Sequence, residues 1–334
     1  MRDIYILGIE TSCDETSLAI VKNGCEDVAT SILTQMDTHA KYGGVVPEIA
    51  SRMHSESITM VLEDLFSKTD LTMINIDAIA VTYAPGLLGS LLVGLEFAKT
   101  LSLVYNKPLI KVHHLAGHIY ANNLEKALSF PLLALVVSGG HTELVLMEDD
   151  YQFRVLGKTL DDAIGESYDK VAKVLGLPYP GGPNVERYAL NGNNTYALPI
   201  PMNNDELNFS FSGLKSAVIN LVHNEKQRGS EINKEDLACS FQTVAINQLV
   251  RKTKMAVTQN NIKSLILAGG VSANKTLRSE MTKLAEECGV NLSIPAMKYC
   301  TDNATMIAAA AYPLYLKKDF ADYSANAQST KELF

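Results

Sequence analysis

Cysteine is scarce in this chain of 334 residues, and its scarcity excludes some classes of protein. There are five cysteines, none of them in a CxxC pair: Cys13, Cys25, Cys239, Cys288 and Cys300. An odd number of scattered cysteines argues against a disulfide framework and against a structural zinc knuckle. We therefore expect a reducing compartment, the cytoplasm.

Positive charge is in deficit, with 29 Lys and Arg against 37 Asp and Glu and a formal net charge of -8. A chain of this sign does not coat nucleic acid non-specifically, so contact with nucleic acid requires a local patch or a partner. Charged residues make up 20% of the chain and hydrophobic residues 47%, which is enough apolar surface for a large core.

Long uninterrupted apolar runs are missing as well. Asp3 and Glu10 interrupt the apolar N-terminus, and the longest later run, Leu87 to Tyr105, carries Glu96 and Lys99. The sequence therefore predicts no signal peptide and no membrane span. No low-complexity linker is present either, which favours two lobes that share a cleft.

Short apolar runs separated by polar turns predict two copies of one strand unit. The runs IYILGIE, SLAIV and DVATSIL indicate three consecutive strands, and LLALVVS, TELVLME and YQFRVLG repeat the pattern about 126 residues later, comparing Thr16 with Thr142. Helical patterns between and after these units indicate an α/β protein with sheets covered by helices. The predicted helices cover 47–65, 86–103, about 161–175 and about 237–255, with one opened by Ser272 and a last one after Asp302.

Three histidines lie within six residues, in HHLAGH (113 to 118). His114 and His118 are four residues apart on a predicted helix, a spacing that lets two imidazoles share a metal ion. The alternative is a polar helix start with solvated histidines. The motif lacks the glutamate of HExxH zinc proteases. Asp302 is the best-placed third ligand by residue type, although it can equally be the N-cap of the last helix.

Two glycine turns follow apolar strands: VVSGGHTE (136 to 143) and LAGGVSAN (267 to 274). Their backbone N–H groups can face a phosphate, although each turn can also be a plain connection. The segment GGVSANKT is not a P-loop, because Asn274 stands where the second glycine is required. The acidic helix from Asp161 to Asp169 can present carboxylates to ribose hydroxyls or simply be a solvated face, and the following YPGGP is predicted to be a loop.

The chain resembles the bacterial TsaD family, the tRNA threonylcarbamoyladenosine transferases once labelled glycoprotein endopeptidases. Nine segments in family order carry the resemblance: GIETSCDETSLAIV (8 to 21), HAKYGGVVPEIASRMH (39 to 54), APGLLGSLLVG (84 to 94), HHLAGH (113 to 118), LVVSGGHTELV (135 to 145), DDAIGESYDKVAKVLGLPYPGGP (161 to 183), FSFSGLKSA (209 to 217), LAGGVSANKTLR (267 to 278) and CTDNATMIA (300 to 308). The resemblance implies the actin-like, Hsp70-like and sugar-kinase-like fold, with two ribonuclease-H-type lobes around a central cleft. We place the lobes at 1–111 plus about 305–334 and at 112–304.

The resemblance also implies a reaction. The threonylcarbamoyl group moves from threonylcarbamoyl-AMP to N6 of the adenosine next to the anticodon (position 37), in tRNAs that read codons beginning with A, and AMP is released. By position, His114, His118 and Asp302 match ligands of one Fe²⁺ or Zn²⁺ ion. The residues that match donor-binding positions are Val136, Val137, Ser138, Gly139, Gly140, Asp169, Gly182, Glu186 and Asn274. Glu186 replaces the usual aspartate of the family, and Asp14 and Glu15 are candidates to accept the proton of the attacking amine.

Other functions compete with this interpretation. A phosphotransferase or ATPase of the same fold also uses phosphate turns, although magnesium has little need of two imidazoles. A metalloprotease lacks its glutamate base, and a non-catalytic scaffold would have no need of the metal ligands. The resemblance further implies tRNA as substrate, a heterodimer with a TsaB-like paralogue, a TsaE-like ATPase as partner, and no membrane.

Overall fold

The computed structural model describes residues 2–333, which form two compact units: Met1–Leu128 with Pro295–Phe334, and Ser129–Ile294. The sequence placed the boundaries at 111/112 and about 304/305, whereas the structure places them at 128/129 and 294/295. The difference arises because the helix that carries the histidines packs against the last helix of the chain, so both belong to the first unit.

The first unit is a five-stranded sheet with helices. Its strands are β1 (Tyr5–Glu10), β2 (Glu15–Lys22), β3 (Glu26–Thr34), β4 (Ala78–Ala84) and β5 (Leu109–His113), in the order β3-β2-β1-β4-β5. Strands β1 to β3 are antiparallel, whereas β4 and β5 run parallel to β1. Its helices are α1 (Met36–Ala40), α2 (Pro47–Ser67), α3 (Leu88–Tyr105), α4 (His114–Tyr120) and α10 (Ala304–Lys317).

A glycine sets how closely α10 approaches the sheet. A Cβ at Gly8 in β1 would lie 2.3 Å from the carbonyl oxygen of Ala304, so a side chain at this position would push the helix away. The interior of α10 presents small side chains from Ala308 to Ala311, all buried. This close packing brings the start of α10 to the end of β1, where Glu10 lies.

Helix α3 is long and apolar enough to cross a membrane, judged by its length and composition alone, and one third of it (33%) is buried. In the structure it packs against β4 and α2 through Leu91, Leu95 and Ala98, which are fully buried. One face of α3 therefore belongs to the core of the first unit.

The second unit repeats the sheet of the first. Its strands are β6 (Leu132–Val137), β7 (Thr142–Met147), β8 (Phe153–Lys158), β9 (Ser264–Ala268) and β10 (Asn291–Ser293), in the order β10-β9-β6-β7-β8. Again three antiparallel strands are followed by two strands parallel to the first. The predicted duplication of the strand unit is therefore confirmed. The helices are α5 (Ile164–Val174), α6 (Gly181–Ala189), α7 (Ser212–Gln227), α8 (Lys234–Gln259) and α9 (Lys275–Cys288).

Three local predictions were wrong. The YPGGP segment is not wholly a loop, because Gly181 begins α6 after Pro180. Ser272 is not the cap of the following helix: it lies in a 3₁₀ turn, and the side chain of Asn274 caps α9 by accepting from the Leu277 N–H. The cap of α10 is Asn303, so the capping alternative for Asp302 does not hold. In addition, the sequence analysis did not predict helix α7.

Candidate active site

The histidine motif lies where a buried strand meets a short helix. Strand β5 ends at His113 and α4 begins at His114, so the four-residue spacing places His114 and His118 on one helical face. Their ring centroids are 4.7 Å apart, and both side chains are buried. His113 faces elsewhere: its Nδ1 accepts from the Leu115 N–H and its Nε2 donates to the Lys331 carbonyl.

Asp302, just before α10, completes a cluster with both histidines. Its Oδ1 lies 3.4 Å from His114 Nε2 and 3.2 Å from His118 Nε2. Ligands held at about 2.1 Å by a tetrahedral ion are about 3.4 Å apart. Two imidazoles and one carboxylate are a ligand set of catalytic zinc and iron sites, which leave positions open. The three residues therefore fit a divalent metal ion.

The surroundings of His118 support this fit. Both of its ring nitrogens are buried, and apart from the contact between Nε2 and Asp302 neither has a hydrogen-bond partner among residues 2–333. Buried polar groups are normally satisfied, because an unpaired one costs about 1–3 kcal/mol. A ligand bound at Nε2 would satisfy one of these nitrogens.

Glu10, at the end of β1, orients His114 from the opposite side. Its Oε2 lies 3.1 Å from His114 Nδ1, and its two oxygens also accept hydrogen bonds from the Ser12 N–H and the Thr82 hydroxyl. A carboxylate behind an imidazole fixes the tautomer that exposes Nε2 to a metal ion. Sequence reasoning missed this role, since an acidic residue that interrupts an apolar run carries no sign of a contact with His114.

The surroundings of the two histidines move their pKa values in opposite directions. Burial lowers the pKa of His114, but the carboxylates of Asp302 and Glu10 outweigh burial and raise it well above its ordinary value. Burial lowers the pKa of His118, and the nearby Asp302 does not compensate. Burial raises the pKa of Asp302, but the two imidazoles outweigh it and the pKa falls below the usual range.

These shifts predict that metal affinity depends on pH. A metal ion at Nε2 of His114 must displace the proton that the raised pKa of His114 retains, so binding releases a proton. Below that pKa the apparent affinity is expected to rise about tenfold per pH unit, and above it to level off. A competition titration with a chelating dye between about pH 6 and 8 measures this slope. In Glu10→Gln the plateau should begin at lower pH; a wild-type affinity independent of pH would contradict the prediction.

The acidic turn between β1 and β2 carries Asp14 and Glu15. Burial, followed by the charges of Asp302 and Asp14, raises the pKa of Glu15 to about 10. Without a metal ion, Glu15 therefore keeps its proton at neutral pH. Both candidates for the proton acceptor thus lie in the same crowded acidic environment as Asp302.

In the second unit, the predicted phosphate turn joins β6 to β7. The Ser138 N–H donates to the His141 carbonyl at 2.8 Å, and the Ser138 hydroxyl accepts from the His141 N–H at 3.1 Å. Gly139 and Gly140, between them, are exposed, and no described atom lies within 4 Å of a Cβ built on either. The turn therefore leaves the backbone of Gly139 and Gly140 open to a ligand, whereas Ser138, Val136 and Val137 are buried.

Hydrogen bonds tie together the elements that carry the other predicted donor-binding residues. Asp169 Oδ1, on α5, accepts from the Gly181 N–H at 2.7 Å, beside Gly182. Glu186 Oε1, on α6, accepts from the Lys275 N–H at 2.6 Å, and Lys275 follows Asn274. The structure thus brings α5, α6 and the start of α9 together within one unit, as the donor-site hypothesis requires.

Gln242, inside α8, orients Asn274 and was missed by the sequence reasoning. Its Oε1 accepts from Asn274 Nδ2 at 2.9 Å and from the Tyr168 hydroxyl at 3.3 Å, and its Nε2 donates to Thr276. A glutamine in a long helix gives no signal of this kind, because only the packing of α8 against α9 brings it to Asn274.

The two like-ordered sheets and their turns define an actin-like ATPase fold. HypF of T. kodakarensis superposes with a TM-score of 0.62 at 16% identity, covering 95% of this chain and 48% of that one. Component A of the (R)-2-hydroxyglutaryl-CoA dehydratase of Acidaminococcus fermentans gives a TM-score of 0.54 at 15% identity, covering 94% and 99%. At these identities the likeness concerns the fold alone.

Sequence comparison identifies the family within this class. The family model of TsaD, the tRNA N6-adenosine threonylcarbamoyltransferase, matches residues 27–309. The transferase of Bacillus subtilis strain 168 is 54% identical over 99% of this chain and 96% of its own length, and that of Staphylococcus aureus strain N315 is 51% identical over 99% and 98%. This chain belongs to the TsaD family and is a transferase that modifies tRNA. The predicted family, fold and activity are confirmed, and the phosphotransferase and protease alternatives are not favoured.

Proposed function

We propose that this chain takes the threonylcarbamoyl group from threonylcarbamoyl-AMP and that His114, His118 and Asp302 hold one Fe²⁺ or Zn²⁺ ion for the transfer. The observation that carries the proposal is the cluster itself, with Nε2 to Oδ1 distances of 3.2 and 3.4 Å and with both nitrogens of His118 buried. Such an ion supplies Lewis acidity, which polarises a carbonyl and orients the donor.

The second unit supplies the proposed donor-binding residues. The open backbone of Gly139 and Gly140, next to Ser138, receives the phosphate, with buried Val136 and Val137 as its support. Backbone N–H groups hold the carboxylates of Asp169 and Glu186 in place, and these carboxylates accept from the ribose hydroxyls. The longer side chain of Glu186, where aspartate is usual, spans to the Lys275 N–H.

The remaining proposed donor residues are Gly182 and Asn274. A Cβ at Gly182 meets no described atom within 4 Å, so the backbone there is open to the donor. Asn274 acts from the first turn of α9, where its amide is held by Gln242 and by the Leu277 N–H. In the transfer, N6 attacks the carbamoyl carbon, the bond to the phosphate oxygen breaks, and AMP leaves. A carboxylate of Asp14 or Glu15 takes the amine proton.

The acidic composition leads us to propose partners. With a net charge of -8, the chain alone is expected to bind tRNA weakly. A TsaB-like paralogue, which forms a heterodimer with this chain, and a TsaE-like ATPase contribute to tRNA binding. The reaction takes place in the cytoplasm and without a membrane. Strong, salt-dependent binding of tRNA by the isolated chain would contradict this part of the proposal.

The function is tested by counting threonylcarbamoyladenosine in tRNA by mass spectrometry. Cells depleted of this protein are expected to lose the nucleoside. Wild type should restore it, and so should His223→Ala, which removes an exposed histidine of α7. His114→Ala should not. An unchanged nucleoside level on depletion would overturn the proposed function, and rescue by His114→Ala would overturn the metal assignment alone.

A further inference from the structure

A buried histidine outside the cluster of His114, His118 and Asp302 forms hydrogen bonds to the acidic turn. His54, on α2, is fully buried, and both of its ring nitrogens are engaged. Its Nε2 lies 2.9 Å from the Cys13 carbonyl, which only accepts, so Nε2 carries the proton. Its Nδ1 therefore accepts, from the Thr16 hydroxyl at 2.7 Å and from Gln35 Nε2 at 3.3 Å.

The hydrogen bonds continue from His54 through Gln35 to His39, and the donor of each bond can be assigned. The Val46 N–H donates to His39 Nδ1 at 3.3 Å, so His39 Nε2 carries the proton and donates to Gln35 Oε1 at 3.0 Å. Gln35 is thereby oriented with its amide nitrogen toward His54. The Gln35 N–H also donates to the Asp14 carbonyl at 2.9 Å. Both imidazoles are neutral in this arrangement, and burial lowers the pKa of His54 accordingly.

The turn that these hydrogen bonds hold is flanked by two contacts, one to His114 and one to the start of α10. Before it, Glu10 contacts His114; after it, the Ser17 hydroxyl accepts from the Ala304 N–H at 2.9 Å, at the start of α10. Glu10, Asp14 and Asp302 place carboxylates close to Glu15, and like charges at short range favour an open turn. Neutral hydrogen bonds oppose that opening without adding charge.

We infer that His54 is a positioning residue, whose imidazole holds the turn that carries Asp14 and Glu15 against the start of α10. The inference rests on the proposed function, because the turn matters to the rate only if its carboxylates face the reacting amine. It assigns a role in the reaction to a residue of α2 that is separate from the metal ligands and from the donor-binding residues.

Two conservative variants separate the two ring nitrogens. His54→Gln keeps an N–H donor at the position of Nε2, within reach of the Cys13 carbonyl, whereas His54→Asn keeps only the group nearer the backbone. With holoenzyme and partners present, we expect the kcat of threonylcarbamoyl transfer in His54→Asn to fall about ten- to a hundredfold. His54→Gln should remain within about threefold of wild type. KM for donor and for tRNA, and metal content, should stay unchanged in both.

The structural readout is amide hydrogen exchange at residues 13–16 of the full chain, which should be faster in His54→Asn and near wild type in His54→Gln. Wild-type kcat in His54→Asn, or equal losses in two variants that melt at the wild-type temperature, would overturn the inference. If His54→Asn does not fold, His54→Gln is the test by itself: it must keep kcat within about threefold of wild type, and a tenfold or larger loss in a His54→Gln protein that melts at the wild-type temperature would overturn the inference. Failure of wild type itself to form the nucleoside would instead overturn the proposed function.

Discussion

The His118→Ala variant is expected to lose its metal ion and to transfer the threonylcarbamoyl group at least about a hundredfold more slowly than wild type. Mutation of a group that only supports a metal ligand costs about 10- to 100-fold in affinity or activity. Loss of the ligand itself is therefore expected to cost at least the upper end of that range. His118 is 1% exposed, and solvent cannot easily replace its imidazole. Metal content by mass spectrometry and single-turnover transfer rates measure the two effects.

The control for this prediction is His223→Ala, which removes an exposed histidine of α7 and should leave both quantities unchanged. Added Fe²⁺ or Zn²⁺ should not restore the His118→Ala rate at concentrations that saturate wild type. A variant that retains one equivalent of metal and the wild-type rate would show that the ion, if it binds, uses other residues.

The second large effect is expected where Gly269, in the second glycine turn, packs against Val137 at the end of β6. Gly269 has φ +88°, a conformation that side chains rarely adopt, and a Cβ there would lie 2.4 Å from the Val137 carbonyl oxygen. Gly269→Ala should therefore destabilise the second unit by about 2–4 kcal/mol, from backbone strain and from the displaced end of β6. It should also weaken donor binding, because β6 supports the turn at Ser138. Urea unfolding and a donor titration measure the two changes.

Gly270→Ala is the matched control at the next position. No described atom lies within 4 Å of a Cβ built there, and Gly270 has no positive φ. We expect a change in the free energy of unfolding within about 0.5 kcal/mol, the usual range for a tolerated surface substitution. Equal destabilisation by the two variants would show that any added methyl group, and not the conformation of Gly269, is responsible.

Local chemistry explains which predictions from the sequence held. Short apolar runs separated by polar turns predicted β1 to β3 and β6 to β8, because a run of this length forms one buried strand and the polar residues end it. The four-residue spacing predicted that His114 and His118 share a face. Helix starts were less reliable: Asn274 and Asn303, rather than Ser272 and Asp302, are the caps, since several polar residues in a row compete for one position.

Contacts between residues far apart in the chain could not be read from the sequence. Residue type and the family resemblance made Asp302 a candidate ligand, and the packing of α10 on Gly8 brings it to the histidines. The same holds for Glu10 behind His114 and for Gln242 behind Asn274, where nothing in the local pattern distinguishes them from other polar residues.

The sequence by itself therefore determined the duplicated strand units, the glycine turns, the histidine pair and the family to which the chain belongs. Each of these depends on neighbouring residues or on the order of motifs, and the linear sequence contains both. Only the tertiary structure decided which carboxylate meets the histidines, which tautomers His39 and His54 adopt, and which turn they hold. Those properties depend on distances and donor directions across separate elements, and packing sets them.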